Sequence, residues 1–121
     1  SIPKFSGSDV RDRRVRAENP CYDAIPLRGL GQLARFMPIV DAALPAIQQP
    51  VLVMHATQDH TAPVGCAYRI ARGARAVRTR ILPQSYHLIA VDVERDIVAT
   101  EVIDFVRRTT QSQTGDLACA T

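Results

Sequence analysis

Two short apolar segments constrain the fold more than any other feature, because each ends a few residues before a polar side chain able to do chemistry. Residues 51–54 form a continuous apolar run, which is typical of a parallel strand covered on both faces. Residues 77–82 alternate apolar and basic side chains, which is typical of a strand nearer the sheet edge. Asp59 follows the first segment and His87 the second. The sequence therefore predicts two strand-to-loop junctions that deliver an acid and then a base.

Around these strands, apolar side chains recur every three or four positions, which indicates amphipathic helices. The first helix is predicted over residues 27–44, where Pro38 is expected to kink or split it. A short helix over residues 64–72 should end near Gly73, and a third should run through Arg108. The order helix, strand, helix, strand, helix predicts an α/β fold with a doubly wound parallel sheet.

The chain is expected to divide into three parts. Residues 1–26 contain prolines and a glycine among polar side chains with no sustained period, which predicts an irregular segment. Residues 27–109 hold the predicted core elements, and residues 110–121 are expected to form a flexible tail. Two parallel strands with open edges make a poorly stable sheet. Further strands are therefore expected from a missing N-terminal half or from another copy of the chain in a homo-oligomer.

Composition narrows the class of protein. No apolar run approaches the roughly 20 residues that a membrane-spanning helix needs. The cysteines at positions 21, 66 and 119 are odd in number and widely spaced, which favours reduced thiols in a cytoplasm over a disulfide framework. The arginines at positions 11, 13, 14 and 16 are interrupted by Asp12 and have no aromatic residue among them. They predict a solvated loop or helix start rather than a nucleic-acid site.

Asp59 and His87 are the candidate catalytic residues. A carboxylate at the carboxyl end of a buried strand can accept the Nδ1 proton of an imidazole, which fixes the tautomer and stabilises the imidazolium. The two residues are separated by enough chain for one helix and one strand, so a crossover can return His87 to the same sheet edge. A turn-capping aspartate and an ordinary surface histidine are the alternative interpretations.

Two other kinds of site receive less support. His55, Asp59, His60 and His87 offer metal-ligand side chains, but His55 and Asp59 would converge only on a helix, and they are predicted on a strand and its exit loop. His60 is expected to line the mouth of the site or to face solvent. Cys66 is predicted inside the helix that follows the acid, which favours a structural thiol over a nucleophile.

A nucleophile is missing from the sequence pattern. A catalytic relay whose residues follow the order Ser…Asp…His along the chain needs its serine on a sharp turn, usually within G-x-S-x-G. No serine of this chain lies in that pattern, and Ser8, although preceded by Gly7, lacks small residues at the required offsets.

Several short motifs occur in an order that is more specific than any one of them. They are Ile25-Pro26-Leu27, Leu44-Pro45-x-Ile47-x-Gln49-Pro50, His55-x3-Asp59-His60-x2-Pro63, Ser85-x-His87-x4-Asp92 and Asp104-Phe105-Val106. Residues 22–108 thereby resemble the C-terminal part of the α/β-hydrolase superfamily. The likeness is to the branch of bacterial carboxylesterases and monoacylglycerol lipases, often labelled serine aminopeptidase or S33-like.

This resemblance implies roles for particular residues. Asp59 becomes the acid and His87 the base of a catalytic triad, with no cofactor required. Tyr86 stands where family members commonly have glycine, and it is expected to crowd the loop or narrow the site. The residues before Leu44 correspond to the end of a lid, whose apolar side chains either line an acyl pocket or face the core. These side chains are Leu30, Leu33, Phe36 and Met37.

Together, these observations predict a truncated or fragmentary α/β-hydrolase of carboxylesterase or lipase type. Its parent reaction is the serine-dependent hydrolysis of a carboxylic ester, with a small ester or acyl substrate. The chain alone is expected to be inactive because it lacks the serine and the oxyanion hole. The alternative is a non-catalytic, self-associating interaction module derived from a hydrolase fold.

Overall fold

A computed structural model describes the backbone of residues 1–3 and 7–118, and the side chains of residues 1–3 and 7–111. Helices and strands alternate along most of the chain, so the α/β class predicted from the sequence is confirmed. The elements are β1 (Ile2–Pro3), α1 (Arg13–Glu18), β2 (Ala24–Ile25), α2 (Leu27–Ala43), a 3₁₀ turn (Leu44–Ala46), β3 (Val51–Ala56), α3 (Gly65–Gly73), β4 (Val77–Leu82) and α4 (Arg95–Ala118).

Strands β3 and β4 form the parallel pair that the apolar segments predict. Their register runs from Val51 opposite Val77 to Ala56 opposite Leu82. Helix α3 connects them, as a parallel pair requires. Because both strands end at the same edge, the loops that follow Ala56 and Leu82 are neighbours, and these are the loops that carry Asp59 and His87.

The core lies where α3 and α4 pack against this strand pair. Leu82 and Ala56 are fully buried at the carboxyl ends of the strands, and Ala67 of α3 is nearly so. Leu44 packs so closely on Gly73 that a Cβ atom there would lie 2.6 Å from Leu44 Cδ1. Strand β3 itself is only half covered, since Val51, Leu52, Met54 and His55 remain partly exposed. The prediction of burial on both faces is therefore not met within the described residues.

Helix α2 differs from its prediction in two ways. It runs unbroken from Leu27 to Ala43 with Pro38 inside it, so the predicted split does not occur. None of its residues is buried, and the interpretation of its apolar stripe as core-facing is wrong for the described part of the chain, because nothing there packs over that face. The exposed apolar side chains are Leu27, Leu30, Leu33, Phe36, Met37, Ile39 and Val40.

The two ends of the chain contain more regular structure than the sequence pattern predicts. The segment over residues 1–26, predicted to be irregular, includes α1 and the short antiparallel pair β1–β2. Helix α4 continues past Arg108 to Ala118. Within this helix, the Thr109 hydroxyl donates a hydrogen bond to the Phe105 carbonyl at 2.9 Å. The division into three parts stays a prediction, and residues 119–121 of the expected tail lie outside the described residues.

Among the residues that the structure describes, no helix is both long enough and apolar enough to cross a bilayer.

Candidate active site

The segments that follow β3 and β4 are hydrogen-bonded to each other next to the candidate site. Just beyond β3, the Thr57 backbone N–H donates to the Leu82 carbonyl at 2.9 Å. The Gln58 side-chain amide then donates to the Pro83 carbonyl at 2.8 Å. The loops after β3 and β4 therefore leave the sheet in a fixed relation, which limits where Asp59 and His87 can lie.

Asp59 uses its two carboxylate oxygens for two different purposes. Its Oδ1 accepts hydrogen bonds from the backbone N–H groups of Thr61 and Ala62, each at 2.7 Å. Its Oδ2 lies 2.8 Å from His87 Nδ1. The two candidate residues named from the sequence thus meet, across a separation of 28 residues. The turn-capping interpretation of Asp59 also describes the structure, because the same side chain shapes its own loop.

The charge state of Asp59 follows from these contacts. The side chain is only 4% exposed, and burial alone would raise its pKa because it disfavours the anion. The Ala62 N–H, the His87 imidazole and the Thr61 N–H all favour the anion, and together they hold the pKa of Asp59 below its ordinary value. Asp59 is therefore an anion at neutral pH.

His87 is positioned to act as a base. With Asp59 an anion, the proton of a neutral imidazole lies on Nδ1 and is donated to the carboxylate, which leaves the lone pair of Nε2 available. The side chain of His87 is 38% exposed, so the described residues leave part of the imidazole uncovered. An imidazole in this state can take a proton from a hydroxyl nucleophile and return it to a leaving group.

The loop that carries His87 is held by two buried acids. Asp92 is fully buried, and its carboxylate accepts four backbone N–H bonds, from Arg11, Asp12, Tyr86 and Val93, at 2.7 to 2.9 Å. Burial would raise the pKa of Asp92, but these four donors hold it below the ordinary value. The anion therefore anchors the loop to the N-terminal segment and to the start of α4.

Glu94 completes this anchor. One of its oxygens, Oε2, accepts from the Gln84 N–H at 2.9 Å and from the Ser85 hydroxyl at 2.8 Å. From the sequence, Asp92 is recognised only as part of a motif, and Glu94 is not identified. Acidic residues just before a helical stripe are a helix-start signal, and this signal identifies both as candidates for loop anchoring.

His55 and His60 lie on either side of Asp59. His55 Nδ1 is 2.8 Å from the Ala56 carbonyl, and its Nε2 is 3.6 Å from Asp59 Oδ2. His60 is mostly exposed and lies 2.8 Å through Nδ1 from Asp9 Oδ1. Over the described part of the chain, no three or more His, Cys, Asp or Glu side chains are grouped so that they can hold a metal ion.

Among the residues whose side chains the structure describes, no serine or cysteine near these loops is arranged as a nucleophile. Ser8 is buried and its hydroxyl oxygen accepts from the Asn19 side-chain amide at 2.8 Å. Ser85 is fully buried and its hydroxyl donates to Glu94. Cys66 lies on α3 and is partly buried, in the position that the sequence predicts for it.

Known lipolytic enzymes resemble this chain in sequence and in fold. No family model matches the chain. A thermostable monoacylglycerol lipase from Bacillus sp. (strain H-257) is 31% identical over 101 residues, which are 82% of this chain and 40% of that lipase. A solved chain described among two metagenome-derived lipolytic enzymes, LipS and LipT, matches with a TM-score of 0.79 at 22% identity, over 88% of this chain and 43% of that one. The chain thus spans less than half the length of either protein.

Proposed function

We propose that this chain, which has the fold of the C-terminal part of an α/β-hydrolase superfamily protein, supplies the acid and the base of a serine-dependent ester hydrolase. The observation that carries the proposal is the 2.8 Å contact between His87 Nδ1 and Asp59 Oδ2. It lies at the carboxyl edge of a parallel strand pair, the edge at which reactive groups collect in open α/β sheets.

In the proposed reaction, His87 moves the protons and Asp59 stabilises the charge. Nε2 of His87 takes the proton of a serine hydroxyl as the serine oxygen bonds to the acyl carbon. The imidazolium then gives that proton to the departing alcohol, which leaves an acyl-enzyme. A water molecule attacks the acyl carbon, its proton passes through His87 to the serine oxygen, and the carboxylic acid is released. Throughout, the anionic Asp59 holds the imidazole orientation and offsets its positive charge.

The serine is proposed to come from polypeptide outside these 121 residues. The sequence contains no G-x-S-x-G, and the hydroxyls of Ser8 and Ser85 are engaged in internal hydrogen bonds. The oxyanion hole is assigned to the same missing part, because its donors must face the acyl group that the serine attacks. The chain is accordingly a truncated or fragmentary hydrolase that is inactive by itself.

The substrate class is proposed from the relatives and from α2. One relative is named as a monoacylglycerol lipase and the others as lipolytic enzymes, so a small carboxylic ester with an apolar acyl chain is favoured. The exposed stripe of α2, including Leu30, Leu33, Phe36 and Met37, offers an apolar surface suited to line its pocket. No cofactor is needed for this chemistry. The S33-like branch and a cytoplasmic location belong to the same proposal.

The test uses the full product of the reading frame that encodes these residues. With a p-nitrophenyl ester, this product should give a burst of p-nitrophenol, and the 121-residue chain should give none. His87→Ala and Asp59→Asn should lower kcat by about 10³-fold or more, as in other triads. Asp41→Asn, which removes a carboxylate from α2, serves as the matched control and should retain the burst. A full product without a burst, or a burst that survives His87→Ala, contradicts the proposal.

A second candidate function is a self-associating module without catalysis. The exposed apolar stripe of α2 favours it, as do the unpaired outer edges of β3 and β4 among the described residues. Native mass spectrometry and light scattering separate the candidates when they are combined with the ester assay. A stable homo-oligomer of this chain, together with a full product that shows no burst, favours the module.

A further inference from the structure

Residues 7–12 form a segment, called the strap, that contacts both loops of the candidate site. The Asp9 carboxylate accepts from the His60 backbone N–H at 3.0 Å and from the Thr61 hydroxyl at 3.2 Å, and its Oδ1 lies 2.8 Å from His60 Nδ1. The Asp9 backbone carbonyl accepts from the Leu88 N–H at 3.2 Å. One residue of the strap therefore holds the neighbour of Asp59 and the neighbour of His87 at the same time.

Aromatic side chains make a second connection between the two loops. The rings of His60 and Tyr86 meet edge to face, with centroids 4.5 Å apart and planes at 82°. The guanidinium carbons of Arg11 and Arg16 lie 6.0 and 5.8 Å from the centre of the Tyr86 ring, within range of a cation–π attraction. Tyr86 thus gives the strap a surface to pack against.

The strap is itself a packed element. Val10 is fully buried and Ser8 nearly so. The Arg16 side chain donates to the Val10 carbonyl at 2.6 Å, and the strap begins at Gly7, whose φ of +64° suits glycine. At its other end, the N–H groups of Arg11 and Asp12 are held by the buried Asp92 carboxylate. Its position is therefore set from both ends, with Asp9 between them.

We propose that Asp9 is a positioning residue for the Asp59–His87 pair. A hydrogen bond of 2.8 Å between side chains on two separate loops is lost when either loop moves by about 1 Å. Asp9 links these loops through His60 and Leu88, which are the sequence neighbours of Asp59 and His87. The importance of this link for ester hydrolysis rests on the proposed function, whereas the link itself rests on the contacts described.

The test reads His87 directly in the 121-residue chain by NMR of its imidazole nitrogens. The chain has only three histidines, so their signals can be assigned by substitution. At about pH 8, where an ordinary imidazole is neutral, the wild-type His87 should carry its proton on Nδ1 and exchange it slowly with water. Asp9→Asn preserves the shape of the side chain but cannot accept all three hydrogen bonds. We expect a mixed His87 tautomer and proton exchange about tenfold faster or more, because local opening controls exchange.

Three further variants make the result decisive. Asp41→Asn on α2 is the matched control and should leave His87 as in the wild type. His60→Ala should loosen His87 as Asp9→Asn does, whereas His60→Asn, whose amide nitrogen can replace Nδ1 as a donor to Asp9, should restore much of the wild-type signal. This pair also decides the matter if Asp9→Asn fails to fold, since a merely structural effect would not be rescued by the donor.

The outcomes separate the two proposals. Asp59→Asn should abolish the Nδ1–H preference of His87, and if it does not, the relay itself is wrong. If Asp59→Asn changes His87 but Asp9→Asn and His60→Ala leave it like Asp41→Asn, the relay stands and the positioning role of Asp9 is wrong.

Discussion

The loops after β3 and β4, called the loop cluster here, carry Asp59 and His87 and have their buried polar groups hydrogen-bonded within the chain. Helix α2 differs, because its apolar side chains stay exposed. In the loop cluster, Asp92 is fully buried and takes four backbone donors, and no buried side-chain nitrogen or oxygen of the described residues lacks a partner. Along α2, by contrast, Phe36 is 57% and Ile39 63% exposed. The described residues thus pair the buried polar atoms of these loops with one another, whereas they leave the apolar surface of α2 uncovered.

Removal of the Asp92 carboxylate should give the largest loss of stability. In Asp92→Ala, four partly buried backbone N–H groups lose their acceptor at once. Since each unsatisfied buried donor costs about 1–3 kcal/mol, we expect the free energy of unfolding to fall by about 3 kcal/mol or more. Urea unfolding monitored by circular dichroism measures it. A loss below about 1 kcal/mol would mean that the hydrogen bonds of the loop cluster stabilise the chain little more than the exposed side chains of α2 do.

Acid should weaken the loop cluster next. The pKa values of Asp59 and Asp92 lie below the ordinary 3.8 in the folded chain, so the unfolded chain binds more protons as the pH falls. Their contribution to stability is present above the unfolded value and is lost as the pH drops through the folded values. The urea midpoint should therefore fall on acidification below about pH 5. Asp92→Asn should show a shallower fall, and an equally steep one would contradict the assignment.

The ion pairs between β4 and α4 form an intermediate case. Arg78 contacts Glu101 at 2.6 Å and Asp104 at 3.0 Å, and its hydrogen bond to Asp104 raises the pKa of the guanidinium. These side chains are partly exposed, so salt screens their attraction. Arg78→Met should lower the melting temperature less than Asp92→Ala does. The difference from wild type should shrink in about 1 M salt, and a difference that persists there would indicate a packing role instead.

The apolar stripe of α2 should contribute least to the stability of the chain. Leu33→Ser and Phe36→Ser remove exposed side chains, so each should change the free energy of unfolding by no more than about 0.5 kcal/mol. The same substitutions should reduce binding of a hydrophobic dye and any self-association. If either one destabilises the monomer by about 2 kcal/mol, α2 is packed against the core after all.

Local patterns in the sequence predict much of the fold and the approach of His87 to Asp59. The strand predicted over residues 77–82 is observed with the same bounds, because the hydrophobic period is a local property of the sequence. Asp59 and His87 meet because a helical crossover returns the second strand to the same sheet edge. Asp9 carries no local signal, and the helix-start signal at Asp92 does not identify its distant partners. Their partners are His60 and Arg11, which lie 51 and 81 residues away, so only the folded chain brings them together. Pro38 lies inside an unbroken helix, so the low helix propensity of this one proline does not end the helix.

Covalent labelling of the nucleophile tests the central claim most directly. The full product of the reading frame is treated with a fluorophosphonate, and the modified peptide is identified by mass spectrometry, in wild type and in His87→Ala. The account predicts one labelled serine outside these 121 residues, whose labelling is lost or slowed by about 10³-fold without His87. A label on a serine within these residues, no label at all, or labelling that is indifferent to His87 would contradict it.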